Sequence, residues 1–382
     1  MEKQHSEYHC YREIHQQPVL WKNVFDRIDV QRSSLKKFLA VHLREHTEVI
    51  FTGAGSSFFI GEMVAGSFQF KTGYHAKAVP STEIVTHPLH YIPQNGPVLL
   101  ISFARSGNSP ESVAAAALAQ EINPNTAHLI ITCNADGNLS KAEFLKNKYT
   151  LILGEECNDK ALAMTGSVTS MALAALLIAD LDRLEKVKTT VNAIAYLAET
   201  MVKHYEGEIK KIADRSFERV VFLGSGPFFG TAHEAHLKVQ EMTDGQLICK
   251  FDSFLGFRHG PKAVVNEKTL MVYFHSNDPY VKKYEDDLVS SINAEQDPAF
   301  TLAVCKDCHL KNDYDFVIKH DDFTEIEESY LVLPYLIPIQ LFSYYKSHYY
   351  GLNPDNPSKR GVIHRVVQGV KIYDYDKSEL LK

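Results

Sequence analysis

The sequence predicts an α/β protein: two tandem doubly wound parallel-sheet domains, with a helical arm before them and a tail after them. Three observations lead there. The chain has 382 residues, more than one ordinary core holds, so two domains are expected. Short all-apolar strands alternate with helical patterns, the mark of parallel βαβ units covered on both faces. The chain also repeats itself at a nearly fixed offset.

The repeat is read from landmarks. IFTGAGSSFFIG at 50–61 returns as VFLGSGPFFG at 221–230. Each is a strand, a glycine pair, small residues and Phe-Phe. The first glycines are Gly53 and Gly224, and 224 − 53 = 171. The next strands, VLLISF and LMVYFH, hold Phe103 and Phe274, and 274 − 103 = 171. LIITCN and LAVCK follow with Cys133 and Cys305, and 305 − 133 = 172. Near-constant spacing of this kind marks internal duplication.

The copies are placed at 45–200 and 215–350. Helical patterns fall at 109–121, which is alanine-rich, and at 231–242 and 280–292, which are amphipathic. The run 161–178 is read as a buried helix, not a membrane span, because Thr165, Gly166, Ser167, Thr169 and Ser170 lie in it. Pro334, Pro338 and Gln340 interrupt the apolar run 330–345. Residues 1–44 form the helical arm. In the tail, 351–382, expected to lie over the ligand site, a turn-rich NPDNPSKRG leads to a strand-like VIHRVVQGVKIY.

Composition sets bounds. Hydrophobic residues are 45% and charged residues 23%, ordinary for a globular protein. The net charge of −7 argues against a nucleic-acid binder, yet leaves room for a local basic pocket. The polar N-terminus lacks the apolar core of a secretory signal, so a cytoplasmic protein with six reduced cysteines is expected. Cys305, Cys308 and His309 spell the C-x-x-C-H haem pattern, but the repeat puts Cys305 at an ordinary strand end. A lone C-x-x-C lacks two further zinc ligands. No metal and no cofactor are expected.

Ligands of open parallel sheets bind beyond the carboxyl ends of strands. One such end reads ISFARSGNSPES, 101–112, with Ser102, Ser106, Ser109 and Ser112. Two readings stand. Ser109 is a good N-cap and Pro110 fits the first helical position. Alternatively the free N–H groups of the helix start, with these hydroxyls, suit a phosphate monoester. The other loop, GAGSS, is no dinucleotide fingerprint, because Phe58 stands where a third glycine belongs. The second copy has fewer hydroxyls in GSGPFF and HSNDP, so the first is expected to build most of the pocket.

In HEAHLKVQEM, Glu234, Lys238 and Glu241 share one helical face. That is a solvated salt-bridge ladder or a functional stripe. His233 and His236 are spaced H-E-x-H, so the metalloprotease pattern fails. His259 in FRHGP is a structural turn residue or a functional one.

Taken in order across two copies, GAGSS, ARSGNS, HEAHLKVQE and RHGP resemble the double sugar-isomerase (SIS) domain. This is the isomerase half of glutamine–fructose-6-phosphate transaminase and its relatives. Over about 45–370 the chain is most similar to the tagatose-6-phosphate ketose/aldose isomerase group, also described as galactosamine-6-phosphate deaminase/isomerases. The resemblance implies that Gly55, Ser56, Ser57, Arg105, Ser106 and Ser109 surround the substrate's phosphate and sugar. Arg105 stands where the transaminases have glutamine. It implies that Glu241 moves a proton between C1 and C2, beside Lys238, which Glu234 orients. It implies that His259 assists ring opening from a neighbouring subunit, hence a homodimer with shared active sites.

There are departures. The glutaminase half is absent, and Cys10 is too far in to replace its nucleophile. The transaminases' Schiff-base lysine lies five residues after a proline. Here that proline is Pro357 and the fifth residue on is Val362, with Lys359, Arg360 and His364 nearby but out of register. The implied reaction turns a 2-amino aldose 6-phosphate, galactosamine 6-phosphate as the best guess, into tagatose 6-phosphate and ammonia. A plain ketose/aldose isomerase, a deglycase of phosphorylated sugar–amine adducts and a non-enzymatic sugar-phosphate sensor are the alternatives. The implied partner is a small phosphosugar, not nucleic acid and not a membrane.

Overall fold

A computed structural model describes residues 5–294, 299–306, 313–320 and 326–375. Two helices come first, α1 (His9–His15) and α2 (Gln17–His42). The first copy follows as β1 (Glu48–Gly53), α3 (Ser56–Thr72), β2 (Ala76–Pro80), α4 (Ser81–Thr86), α5 (Pro88–Tyr91), β3 (Val98–Ala104), α6 (Pro110–Ile122), β4 (Thr126–Thr132), β5 (Asn147–Ile152) and α7 (Gly166–Ala179). The long helix α8 (Leu184–Ala213) leads to the second copy. It contains β6 (Arg219–Gly224), α9 (Pro227–Met242), β7 (Ile248–Asp252), α10 (Phe254–Phe257), β8 (Thr269–Phe274), α11 (Pro279–Asn293), β9 (Phe300–Cys305), β10 (Phe316–Lys319) and α12 (Glu328–Tyr349).

Each copy forms a five-stranded sheet, β2-β1-β3-β4-β5 and β7-β6-β8-β9-β10, one order used twice. Every strand pairing is parallel. The central strands β3, β4 and β8 are buried along their whole length, which is why they read as mostly apolar runs, with Ser102 and His128 buried among them.

The glycine turns explain the repeat. A Cβ on Gly53 would lie 2.6 Å from the Ser57 backbone, and one on Gly224 2.2 Å from the Phe228 carbonyl oxygen. Two residues on, Gly55 and Gly226 hold φ of 54° and 57°, a conformation that side chains disfavour. Both strands therefore fold back tightly into a helix.

Helices α3 and α9 join the copies. A Cβ on Gly230 would fall 2.5 Å from the Met63 amide nitrogen, so the backbones meet closely. His233 Nδ1 lies 2.6 Å from Glu62 Oε2, and the two positions are related by the repeat, since 233 − 62 = 171. Phe59 stacks on His233 with centroids 3.6 Å apart.

Four details differ from expectation. Helix α12 runs through Pro334 and Pro338; every residue from Ser329 to Ser347 is buried, and that packing outweighs the lost backbone bonds. Helix α7 begins at Gly166 rather than at 161, because the Asp159 carboxylate accepts from the amides of Thr165 (2.8 Å), Gly166 (3.1 Å) and Ser167 (2.8 Å). Residues 361–375 form no strand; the tail's bonds run to side chains and loops instead of to a sheet edge. Cys10, Cys133, Cys157 and Cys249 are free thiols, but Cys305 is disulfide-bonded, contrary to six reduced cysteines. Cys308 and His309, of the haem-like pattern, lie outside the described residues. Among the described residues no helix is long and apolar enough to cross a membrane.

Candidate active site

The carboxyl ends of β1 and β3 open into a cavity of about 290 Å³. One wall is the start of α3, with Gly55, Ser56 and Ser57. The next is the loop after β3, with Arg105, Ser106, Gly107, Ser109 and Ser112. Leu237 and Glu241 reach in from α9 of the other copy. Leu162 and Met164 form a third side, and tail residues between Val362 and Gln368 cover a fourth.

Two helices begin at this cavity, and neither start is capped by a side chain. Ser109 occupies the N-cap position of α6 with extended backbone, yet its hydroxyl makes no capping bond. The capping explanation therefore does not account for it. The Ser57 and Phe58 amides donate back to the Ala54 (3.2 Å) and Gly55 (2.8 Å) carbonyls, the Ser112 amide to that of Ser109 (3.1 Å), and Pro110 has no N–H. The serine hydroxyls and the positive dipole ends of α3 and α6 therefore make the cradle suited to an anion. The loop is preorganised from below. Asn134 Nδ2 donates to the Ser106 carbonyl (2.8 Å), the Leu139 amide to that of Gly107 (2.9 Å), and the Asn138 amide to Asn108 Oδ1 (3.0 Å). Gly137 allows this closeness, since a Cβ there would stand 2.5 Å from the Ser106 oxygen.

The α9 stripe is not a solvated ladder. Glu234 is fully buried and Lys238 is 1% exposed, while the Glu241 side chain is 24% exposed at the cavity. Lys238 Nζ lies 3.2 Å from Glu234 Oε1 and donates to Glu241 Oε2 (3.0 Å) and Ser56 Oγ (3.3 Å). One ammonium is thus shared by two carboxylates. Burial, helped by the nearby Glu241 charge, pushes the Glu234 carboxyl up to about 7 despite Lys238. Burial alone would lower Lys238, but Glu234 and Glu241 outweigh it and hold its pKa above the usual lysine value. The lysine stays charged where α9 meets the serine loops.

Arg105 is buried and its guanidinium turns to the opposite wall. Nη1 donates to the carbonyls of Ala161 (3.2 Å) and Leu162 (3.0 Å), and Nη2 to that of Arg365 (2.5 Å). Burial, then the neighbouring Arg365, pulls its pKa below the ordinary arginine value. Behind this wall Glu13 of α1 accepts from the amides of Lys160 (2.5 Å) and Ala161 (3.4 Å). Burial and Asp159 push its carboxyl up to about 7.

The structure thus gathers Gly55, Ser56, Ser57, Arg105, Ser106, Ser109 and Glu241 around one cavity, with Lys238 and Glu234 beneath. It does not bring His259 there. That residue is exposed, just after α10, and lines no part of the cavity. Lys359 and Arg360 are exposed and outside it, whereas His364 lines it. Sequence reading missed Leu162, Met164, Leu237, Arg365 and the supporting Glu13. Among the described residues no group of three or more His, Cys, Asp or Glu stands where it could hold a metal.

Comparison with known proteins places this geometry. The SIS domain profile matches residues 42–179. The chain is 37% identical over 370 residues to the D-galactosamine-6-phosphate deaminase AgaS of Escherichia coli, covering 95% of each chain. The solved structure of an Escherichia coli tagatose-6-phosphate ketose/aldose isomerase superposes with a TM-score of 0.87 at 34% identity, covering 97% of each chain. The glutamine–fructose-6-phosphate aminotransferase of Vibrio parahaemolyticus is 24% identical over 364 residues, 91% of this chain and 57% of that longer one. Two sheets of one topology, the cavity between them and full-length similarity converge: the chain belongs to the AgaS/tagatose-6-phosphate isomerase family of double-SIS enzymes.

Proposed function

We propose that the protein is a phosphosugar deaminase/isomerase that converts a 2-amino aldose 6-phosphate, D-galactosamine 6-phosphate in the first instance, to tagatose 6-phosphate and ammonia. The observation that carries this reading is the meeting of Glu241 with the serine loops in one cavity, with the buried Lys238 bonded to both Glu241 and Ser56. The name of the Escherichia coli deaminase relative supports the choice of sugar.

The phosphate binds the hydroxyls of Ser56, Ser57, Ser106 and Ser109 at the positive dipole ends of α3 and α6. The sugar then extends toward Glu241. His259, supplied by the partner subunit of a homodimer, moves a proton between the O1 and O5 ends as the ring opens. Glu241 takes the C2 proton and returns a proton to C1. The charge that develops on the enolamine is met by the Lys238 ammonium and by backbone dipoles. The resulting C2 imine adds one water and releases one ammonia, leaving the ketose.

The name of the solved isomerase relative supports a second reading, ketose–aldose interconversion without nitrogen. Incubation with galactosamine 6-phosphate and with tagatose 6-phosphate, followed by proton NMR and an ammonia assay, separates the two. The deaminase reading requires stoichiometric ammonia with the ketose. Interconversion of tagatose 6-phosphate, with no ammonia from the amino sugar, leaves the plain isomerase.

A further inference from the structure

Arg105 lies within the serine loop, where a cation facing the phosphate would be placed. Its bonds run elsewhere, to the carbonyls of Ala161, Leu162 and Arg365. Arg365 sends its own guanidinium to the same wall: Nε donates to the Asp159 carbonyl (2.8 Å) and Nη2 to Asn158 Oδ1 (2.6 Å). Three separate pieces of chain, the end of β3, the wall 158–162 and the tail, are thus tied together by two arginines. The tied tail segment contributes Val362, Ile363, His364 and Val367 to the cavity. The planar fork of arginine suits this, since its donors point in fixed, divergent directions and can reach carbonyls on two separate segments, whereas an ammonium groups its three donors around one atom.

We propose that Arg105 is a positioning residue: it latches the tail over the sugar end of the cavity through the Arg365 carbonyl, while serine hydroxyls and the helix dipoles hold the phosphate. This rests on reading the cavity as a phosphosugar site. It makes the phosphate loop and the tail one mechanical unit.

Two variants test it. Arg105→Lys keeps the charge but loses the fork, and Asn158→Ala removes an anchor of Arg365 without touching the serine loop. Trypsin can cut after Arg365 only if that side chain leaves Asn158 and Asp159, whereas the exposed Arg360 serves as an internal control. Cleavage after Arg365 relative to Arg360 is expected to rise about tenfold or more in both variants. The KM for the amino-sugar phosphate should rise about tenfold while the Ki of inorganic phosphate stays within about threefold. An unchanged cleavage ratio in folded Arg105→Lys overturns the latch. So does a phosphate Ki that rises in step with KM, or a KM unchanged in a variant whose tail is freely cut. Arg105→Gln, which likewise loses the fork, decides by the same ratio if Arg105→Lys does not fold, while Asn158→Ala calibrates how far an unanchored Arg365 opens. Should wild-type protein turn over no phosphosugar, the functional reading fails, and the cleavage ratio still decides the latch by itself.

Discussion

In the first copy α3 starts with Ser56 and Ser57; in the second α9 starts with Pro227 and Phe228, the positions 171 residues on. Phe228 is fully buried and stacks on Tyr335 at 4.9 Å, so the matching space is filled. The loops after β3 and β8 diverge in the same sense. Ser276 Oγ donates to a Glu328 carboxylate oxygen at 2.5 Å, and the amides of Asn277 and Asp278 donate to that same oxygen. Asp278 caps α11 by accepting from the Tyr280 amide at 2.7 Å, whereas Ser109 leaves α6 uncapped. The second copy therefore satisfies its anion cradle with its own carboxylates. One backbone turn supplies donors in both copies, and side chains decide whether a ligand can use them. The reverse asymmetry holds on the helices. Where α9 carries Glu234, Lys238 and Glu241, α3 carries Met63, Ser67 and Phe70. The first copy brings the donors and the second the carboxylate.

Each variant below shifts one copy toward the other. The largest effect is expected for Glu241→Gln, which removes the proton carrier: kcat falls about 10³-fold while phosphosugar affinity by calorimetry stays within about threefold. Turnover that survives removes Glu241 from the chemistry. Next, Ser109→Asp imports the second copy's cap. It should weaken inorganic phosphate about a hundredfold through like-charge repulsion, yet add about 0.5–1 kcal/mol of stability as a true N-cap. Thermal shifts with and without phosphate read both; phosphate protection that persists denies the loop its anion. Glu328→Ala works in the other copy. It strands the Ser276 hydroxyl and the Asn277 amide, while the Asp278 amide keeps Ser276 Oγ (3.0 Å), costing about 1–3 kcal/mol in urea unfolding, with little change in kcat.

The smallest effect is in pH. Glu234 and Glu13 are raised by burial from 4.5 to about 7 in the fold. The folded state holds their protons after the unfolded chain has released them. Their contribution is thus fully present below pH 4.5 and is lost as pH rises through about 7. Thermal melts across that window should show a falling Tm, and Glu13→Gln should flatten part of the slope. An identical slope in the variant assigns it to other groups.

The sheets were legible because their buried strands are mostly apolar runs and because Gly53 and Gly224 mark a turn that only glycine can make. The serine loops were legible from their place at strand ends. The α9 stripe was half legible: spacing put Glu234, Lys238 and Glu241 on one face, but the same spacing serves an exposed ladder, and only packing against α3 shows it buried. How the tail is held was not legible. Irregular chain has no period, and Arg105 reaches it through a backbone carbonyl, which every residue carries. Glu13 was hidden for the same reason, since its partners are amides of Lys160 and Ala161. Prolines in α12 misled because local propensity yields to a fully buried environment.

The contact between Glu62 and His233 has a consequence for how such a chain could arise. These equivalent positions touch where α3 packs on α9, at the seam between the copies. In a symmetric dimer of identical single-copy chains, a position that touches its own equivalent must meet the same residue, so acid would face acid or base face base. Fusing the two genes frees the halves to mutate separately, and only then can an acid on one side find a base on the other. The same broken symmetry permits one half to keep a cradle while the other keeps a proton carrier.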